Sequence, residues 1–290
     1  MNKRPLLRGI TLFVAFGMLF FLLIYTITLF VETSPVGENK IAIVRVEGMI
    51  TESADIIEQL NRYNENPSVK AIIIRINSPG GGVVPSQEIY KEVKNIKKQG
   101  KKSIIVSMGT LAASGGYYIA SSSDRIFANP GTITGSIGVI MELANVEGFM
   151  KMIGIENIVI KSGEFKDMAS PFRKMKEKEK KILQNVIDDI HEQFIEAVAE
   201  GRGLPIEDVR KIADGRIFTG RQAIKLGLID ELGNLQEAVK RTAELVGIKE
   251  EPKIIEKKKR FSFFELFKTF FGGRLNNIYL PFRISYLAVI

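Results

Sequence analysis

The chain has 290 residues, 45% hydrophobic and 26% charged, enough for one sizeable core once terminal segments are set aside. It has no cysteine and a single histidine, His191, which excludes disulfides and thiolate metal sites and makes zinc a poor fit. The net charge of +8 lies in the flanks: residues 1–9 hold three basic and no acidic residues, and residues 251–290 hold eight and three. That leaves 30 of each sign in residues 10–250, so the central part is neutral. A nucleic-acid footprint would be a basic stripe on the folded domain, and none is expected.

Residues 1–9 read as a cytoplasmic N-terminus, because Lys3, Arg4 and Arg8 precede an apolar run. That run, Ile10–Val31, has 22 residues and no charge. At about 1.5 Å per residue it would cover about 33 Å, enough for a hydrocarbon core of ~30 Å. A cleaved signal peptide would need an A-x-A-like site, which Val31–Asn39 does not offer. An uncleaved single-pass membrane anchor is therefore expected, with the bulk of the chain outside the cytoplasm. Residues 32–40 form a polar linker.

From Ile41 to residue 250 strands and helices alternate. Ile41–Val46 and Ala71–Ile76 are β-branched runs flanking a helix over 53–65. Pro85 opens a second helix with Ile89, Val93 and Ile96 on one face and Gly100 as its stop. Ser103–Ser107 is the next strand, turning sharply into a helix near Ser114. Strand Arg125–Ala128, a turn at 129–131 and an apolar run Ile137–Met141 follow. This alternation predicts an α/β fold with a mainly parallel sheet. A long amphipathic helix over 176–200 carries Leu183, Val186, Ile187, Ile190, Phe194 and Val198 in one stripe. Shorter helices are expected at 206–213, 220–226 and 234–246, the last capped by Asn234. The tail, 251–290, is basic and aromatic: Lys257–Arg260 precede F-S-F-F-E-L-F-K-T-F-F. It reads as a membrane-surface helix, a segment that docks in the protein's own groove, or a mobile tail.

The chemistry centres on G-T-L-A-A-S-G-G-Y-Y-I-A, residues 109–120. Ser114 sits there among Ala112, Ala113, Gly115 and Gly116, small enough to admit a peptide backbone. A helix N-terminus would offer free N–H groups to an oxyanion. Tight helix–sheet packing would use the same residues. A nucleophilic serine needs a base. His191 lies at the edge of the long helix's apolar stripe and reads as structural, which leaves a lysine. A free lysine titrates near ~10.4, so a fall of about three units, roughly 4 kcal/mol, is needed near neutrality. Lys166 stands out modestly, in a loop-like stretch from Ser162 to Pro171, although Glu164 and Asp167 would hold it charged if they faced it. The turn N-S-P-G-G-G at 77–82 could present N–H groups beside that of Gly115. Neither nucleotide-binding glycine fingerprint is present.

Five motifs occur in order: N-S-P-G-G-G at 77–82, A-A-S-G-G-Y-Y-I-A at 112–120, G-S-I-G-V at 135–139, S-G-x-x-K-D at 162–167 and G-R-I-F-T-G at 215–220. Together they resemble the bacterial signal peptide peptidase A family, membrane-anchored Ser/Lys peptidases of ClpP/crotonase-like fold. The likeness covers residues 41–250 and the single anchor. The resemblance implies that Ser114 is the nucleophile, Lys166 the general base and Ser136 the residue that orients the lysine. The N–H groups of Gly81 and Gly115 would form the oxyanion hole. It further implies residual signal peptides as substrates, no cofactor, and a homo-oligomeric ring, an octamer, in which serine and lysine meet between subunits. Some short-form members have their own tail bound and trimmed. Two rival readings are an acyl-CoA enzyme of crotonase type, which shares the oxyanion turn, and a ring-shaped scaffold that only binds peptides.

Overall fold

The computed structural model describes residues 13–23, 39–257 and 283–287. The chain divides into two compact units, Met1–Glu38 and Asn39–Ile290. In the first, residues 13–23 form helix α1, exposed along nearly its whole length. The other residues of the expected anchor Ile10–Val31, nearly all of the 32–40 linker and the aromatic run 261–271 lie outside the described residues. Among the described residues no helix is long and apolar enough to cross a membrane.

The second unit is built from repeated strand–helix–strand steps. Helix α2 (Ala54–Glu65) links β1 (Lys40–Glu47) to β2 (Val69–Ser78). The short strand β3 (Gly80–Gly82) and α3 (Val83–Gln99) lead to β4 (Ser103–Ala113), and α4 (Gly115–Ser121) leads to β5 (Arg125–Ala128). Then come β6 (Ile133–Gly135), β7 (Ile140–Glu142), α5 (Glu147–Met152) and the long α6 (Glu177–Arg202). The sequence closes with α7 (Ile206–Ile212), β8 (Ile217–Thr219), α8 (Gly220–Lys225), β9 (Glu231–Leu232), α9 (Leu235–Leu245), β10 (Lys253–Glu256) and β11 (Arg283–Leu287).

The main sheet runs β10-β1-β2-β4-β5-β9, every pair parallel. Its central strands are near-continuous β-branched runs because helices cover both faces. Ala42, Val44, Val46, Ile72 and Ile74 join one core cluster with Leu60, Ile89, Tyr117 and Phe194 from the covering helices. The alternate residues Ile41, Ile43, Ile73 and Ile105 face the other way, onto Ala238 and Ala243 of α9. The predicted mainly parallel α/β architecture is thus observed.

Local signals explain the element ends. Gly100 closes α3 in the left-handed conformation, φ 64°, where a side chain would be strained. Asn234 caps α9 by accepting from the Glu237 N–H at 3.0 Å. Pro85 falls at the third helical position of α3 rather than the first, still in the turn whose N–H groups lack intrahelical partners. The apolar run Ile137–Met141 is not one strand: β6 ends before it and β7 begins at its fourth residue, Ile140. Beyond residue 250, Lys253–Glu256 pairs with β1 and extends the main sheet.

Candidate active site

The carboxyl ends of β2 and β4 carry the two Gly-rich turns, the usual place for a site on a parallel sheet. Strand β4 runs six residues past the predicted Ser107, and Ser114 follows as the single residue between it and α4. Its backbone sits at φ 53°, ψ −119°, a region that costs a non-glycine residue about 1–3 kcal/mol. Neighbouring bonds hold it there: the Ser114 N–H donates to the Gly135 carbonyl at 2.8 Å, and the Ser114 carbonyl accepts from the Tyr118 N–H at 2.8 Å. Thr134 Oγ1 pegs the adjacent Ala112 carbonyl at 2.7 Å. The Ser114 side chain is fully buried and its Oγ has no hydrogen-bond partner among the described residues. A buried hydroxyl left unpaired is costly, so a position that keeps one has a use for it.

Helix α4 packs against β3, which places the 80–82 glycines beside the serine turn. Gly81 has no room for a side chain, since a Cβ there would lie 2.2 Å from the Ile50 carbonyl oxygen. Ser78 shapes this turn. Its Oγ donates to the Gly48 carbonyl and accepts from the Gly80 N–H at 3.0 Å. Sequence reasoning passed over Ser78, although a serine two residues before a glycine turn is a local capping signal. Gly116 lets the helix approach: a Cβ there would meet the Ser78 carbonyl at 3.2 Å. The first turn of α4, opening at Gly115, leaves N–H groups its own carbonyls cannot satisfy.

The G-S-I-G and G-R-I-F-T-G motifs meet here too. Strand β6 pairs with the end of β4 and antiparallel with β8. Ser136 follows Gly135, the residue bonded to Ser114, and takes φ 51° with its N–H on the Arg216 carbonyl at 2.8 Å. The structure therefore gathers Ser114, Gly115, Gly81 and Ser136. Lys166 is not gathered with them. It lies exposed in a series of turns between α5 and α6, and its amine has no hydrogen bond or ion pair among the described residues. His191 sits half-buried on α6, and its Nε2 is without a hydrogen-bond partner, so it does not bond to Ser114 Oγ. No group of three or more metal-ligating side chains occurs among the described residues.

Two further features border the site. Strand β11 lies between β3 and β7, antiparallel to both, with Tyr286 opposite Gly81 and Ile284 opposite Met141. A segment of the tail thus occupies, as an added strand, the groove beside the serine turn. The segment from α5 to α6 is the other feature. Helix α5 buries none of its residues, and Phe149, Met152, Ile158 and Ile160 are open to solvent, Ile160 at 97%. The expected α6 stripe is only partly covered: Leu183, Phe194 and Val198 are buried and Ile187 and Ile190 half-buried, but Val186 is 39% exposed. Contiguous exposed apolar surface of this kind marks an interaction face.

A parallel α/β sheet with a bare serine on a strained strand–helix turn is the signature of a serine hydrolase. Residues 96–249 match peptidase family S49, and residues 37–132 match the Clp protease family. A Synechocystis protein provisionally named a protease is 44% identical over 212 residues, covering 72% of this chain and 76% of that one. Protease 4 of Haemophilus influenzae is 39% identical over 217 residues, 72% of this chain and 35% of its own. The chloroplastic serine protease SPPA of Arabidopsis thaliana is 31% identical over 217 residues, 70% of this chain and 32% of its own. The chain thus spans most of the first relative and about a third of the other two. It belongs to peptidase family S49 and is a serine peptidase.

Proposed function

We propose that the chain is a membrane-anchored endopeptidase that degrades residual signal peptides through a Ser114–Lys166 dyad. The observation that carries this reading is the buried, unpartnered Ser114 Oγ on its strained turn, flanked by Gly81 and Gly115. The Lys166 amine, as general base, takes the Ser114 proton as Oγ attacks the peptide carbonyl. The N–H groups of Gly81 and Gly115 hold the oxyanion, each such donor being worth about 10²–10³ in rate. The protonated lysine then gives its proton to the departing amine. Water, activated by the same lysine, hydrolyses the acyl-enzyme. Ser136 orients the lysine from its place beside Gly135.

Lys166 reaches this site from a neighbouring copy in a homo-oligomeric ring. Its own chain leaves it on an exposed arm rich in uncovered apolar residues, which favours that arrangement. The β3–β11–β7 pairing supports an extended peptide as ligand, since the groove already accepts a strand. The charge-free run Ile10–Val31 is the proposed anchor, with basic Lys3, Arg4 and Arg8 on the cytoplasmic side.

The test is turnover of a leader-like peptide by the full chain. Ser114→Ala and Lys166→Met are each expected to lose roughly 10⁴-fold or more in kcat while keeping the wild-type assembly. Near-normal turnover in either variant overturns the dyad. A serine-directed acylating reagent should label Ser114 in the assembled protein; an unlabelled serine would favour a peptide-binding scaffold.

A further inference from the structure

Asp167 directly follows Lys166 inside consecutive tight turns: the Lys166 N–H donates to the Gly163 carbonyl at 3.2 Å and the Ser170 N–H to the Asp167 carbonyl at 3.1 Å. A carboxylate so close is a hazard for a lysine base, because an opposite charge within ~4–6 Å favours the charged form. The structure turns that carboxylate elsewhere. Arg173 Nε donates to Asp167 Oδ2 at 2.8 Å, and the Lys161 amine donates to Oδ1. Both carboxylate oxygens are therefore taken by cations other than Lys166. Those hydrogen bonds, Arg173's first, hold Asp167 well below the usual carboxylate range.

Arg173 also grips the helix that follows. Its Nη1 donates to Glu179 Oε2 at 2.8 Å, its Nη2 to Glu179 Oε1, and its Nη2 to the Asp167 carbonyl at 3.0 Å. Glu179 is fully buried, and its Oε2 also accepts the Lys176 N–H at 2.9 Å. One planar guanidinium thus spans the loop and the first turn of α6, a task suited to its forked donors. The other charged residues on this loop and its flanks are Glu156, Glu164 and Lys174, Lys176 at the start of α6, and Glu147 on α5, which accepts the Lys174 N–H at 3.0 Å and the Lys151 amine at 2.7 Å. The clustered side chains Lys161, Asp167, Arg173 and Glu179 sum to zero, so the network adds no net charge beside the lysine. A clamp with only a structural duty would need Arg173 and Glu179 alone. The added arm to Asp167 falls on the residue next to Lys166.

We propose that Arg173 is a positioning residue for Lys166: it pins the lysine's loop to α6 and keeps the Asp167 carboxylate off the lysine amine. This rests on the reading of Lys166 as the base. Arg173→Met alone would leave Glu179 buried without its partner, which endangers folding. The comparison is therefore made in the full chain on a Glu179→Gln background. The measurement is the pH dependence of kcat/KM on a leader-like peptide for E179Q, R173M/E179Q and R173M/E179Q/D167N. Relative to E179Q, the double variant should shift its acidic limb upward by about one pH unit, a ~10-fold loss at fixed pH on that limb. Adding Asp167→Asn should return the limb to its E179Q position. A double variant slowed equally at every pH, or a triple variant whose limb stays shifted, overturns the proposal. Lys166→Met separates the two layers: retained turnover there removes the base and the proposal together, whereas an inactive K166M with an unmoved limb removes only the role of Arg173.

Discussion

Ser114 is held at a backbone angle it would not choose, and the Gly81 turn beside it is packed against Ile50 with no space to spare. Both conditions make the site sensitive to single atoms. Gly81→Ala would press a methyl group into the Ile50 carbonyl and push the turn away. The expected result is a ~10²–10³-fold fall in kcat with little change in circular dichroism. Gly131→Ala is the matched control, because a Cβ there meets nothing within 4 Å. A Gly81→Ala enzyme as active as the control would remove Gly81 from the oxyanion hole. At this scale the serine turn was legible as a strand-to-helix corner, but small residues there suit tight packing as well as chemistry, and only the ordered motif set favoured a nucleophile. The proposed partner was less so: Lys166 stands out only modestly in its loop, and the contacts that Lys161, Arg173 and Glu179 make around that loop are ones that spacing does not reveal.

Elements that repeat a hydrophobic period were read correctly where the fold covers them. β1, β2, α3 and α9 all lie where β-branched runs, Gly100 and Asn234 put them. Reading faltered at short strands. β3, β7 and β11 have three to five residues and exist because they pair with distant partners, which period alone cannot signal. β11 carries a prediction of its own. A tethered strand competes at an effective concentration of order mM. A chain stopped before Arg283 should therefore show a several-fold higher initial rate on dilute peptide, and an unchanged rate would mean that β11 does not compete with substrate. α6 offers a second one. Its buried Glu179 is held down to about 2, chiefly by hydrogen bonds from Arg173. A depressed carboxylate stabilises the fold above its unfolded value, ~4.3, and that support fades as pH falls toward about 2. The melting temperature should drop across this window in the wild type and drop less in Glu179→Gln.

For the molecule as a whole, the exposed arm from α5 to α6 raises the question of how many chains make one site. If Ser114 and Lys166 come from adjacent copies, inactive Ser114→Ala and Lys166→Met chains should complement each other on mixing. In a randomly mixed ring about a quarter of the boundaries would join an intact serine to an intact lysine. Recovery of that fraction of wild-type turnover is expected, and none at all would place both residues within one chain. The mainly parallel α/β architecture could be read ahead of the structure because its strands are long and buried on both faces. The incompletely covered α6 stripe could not, since hydrophobic period reports that a face wants covering and is silent on whether its own chain supplies the cover.

The three-stranded sheet bears on which polypeptides could bind there. β3 and β7 each pair with β11 and not with one another, so the middle place of that sheet is held by a strand from the tail, and another extended backbone would take it by displacing β11. A guest enters by surrendering its own main-chain N–H and C=O groups to the two rails. Polypeptide already committed to helix or sheet has none to give. If peptides are taken up this way, as proposed, discrimination between extended and folded chains would need no recognition of sequence, because a folded neighbour has spent its hydrogen bonds elsewhere.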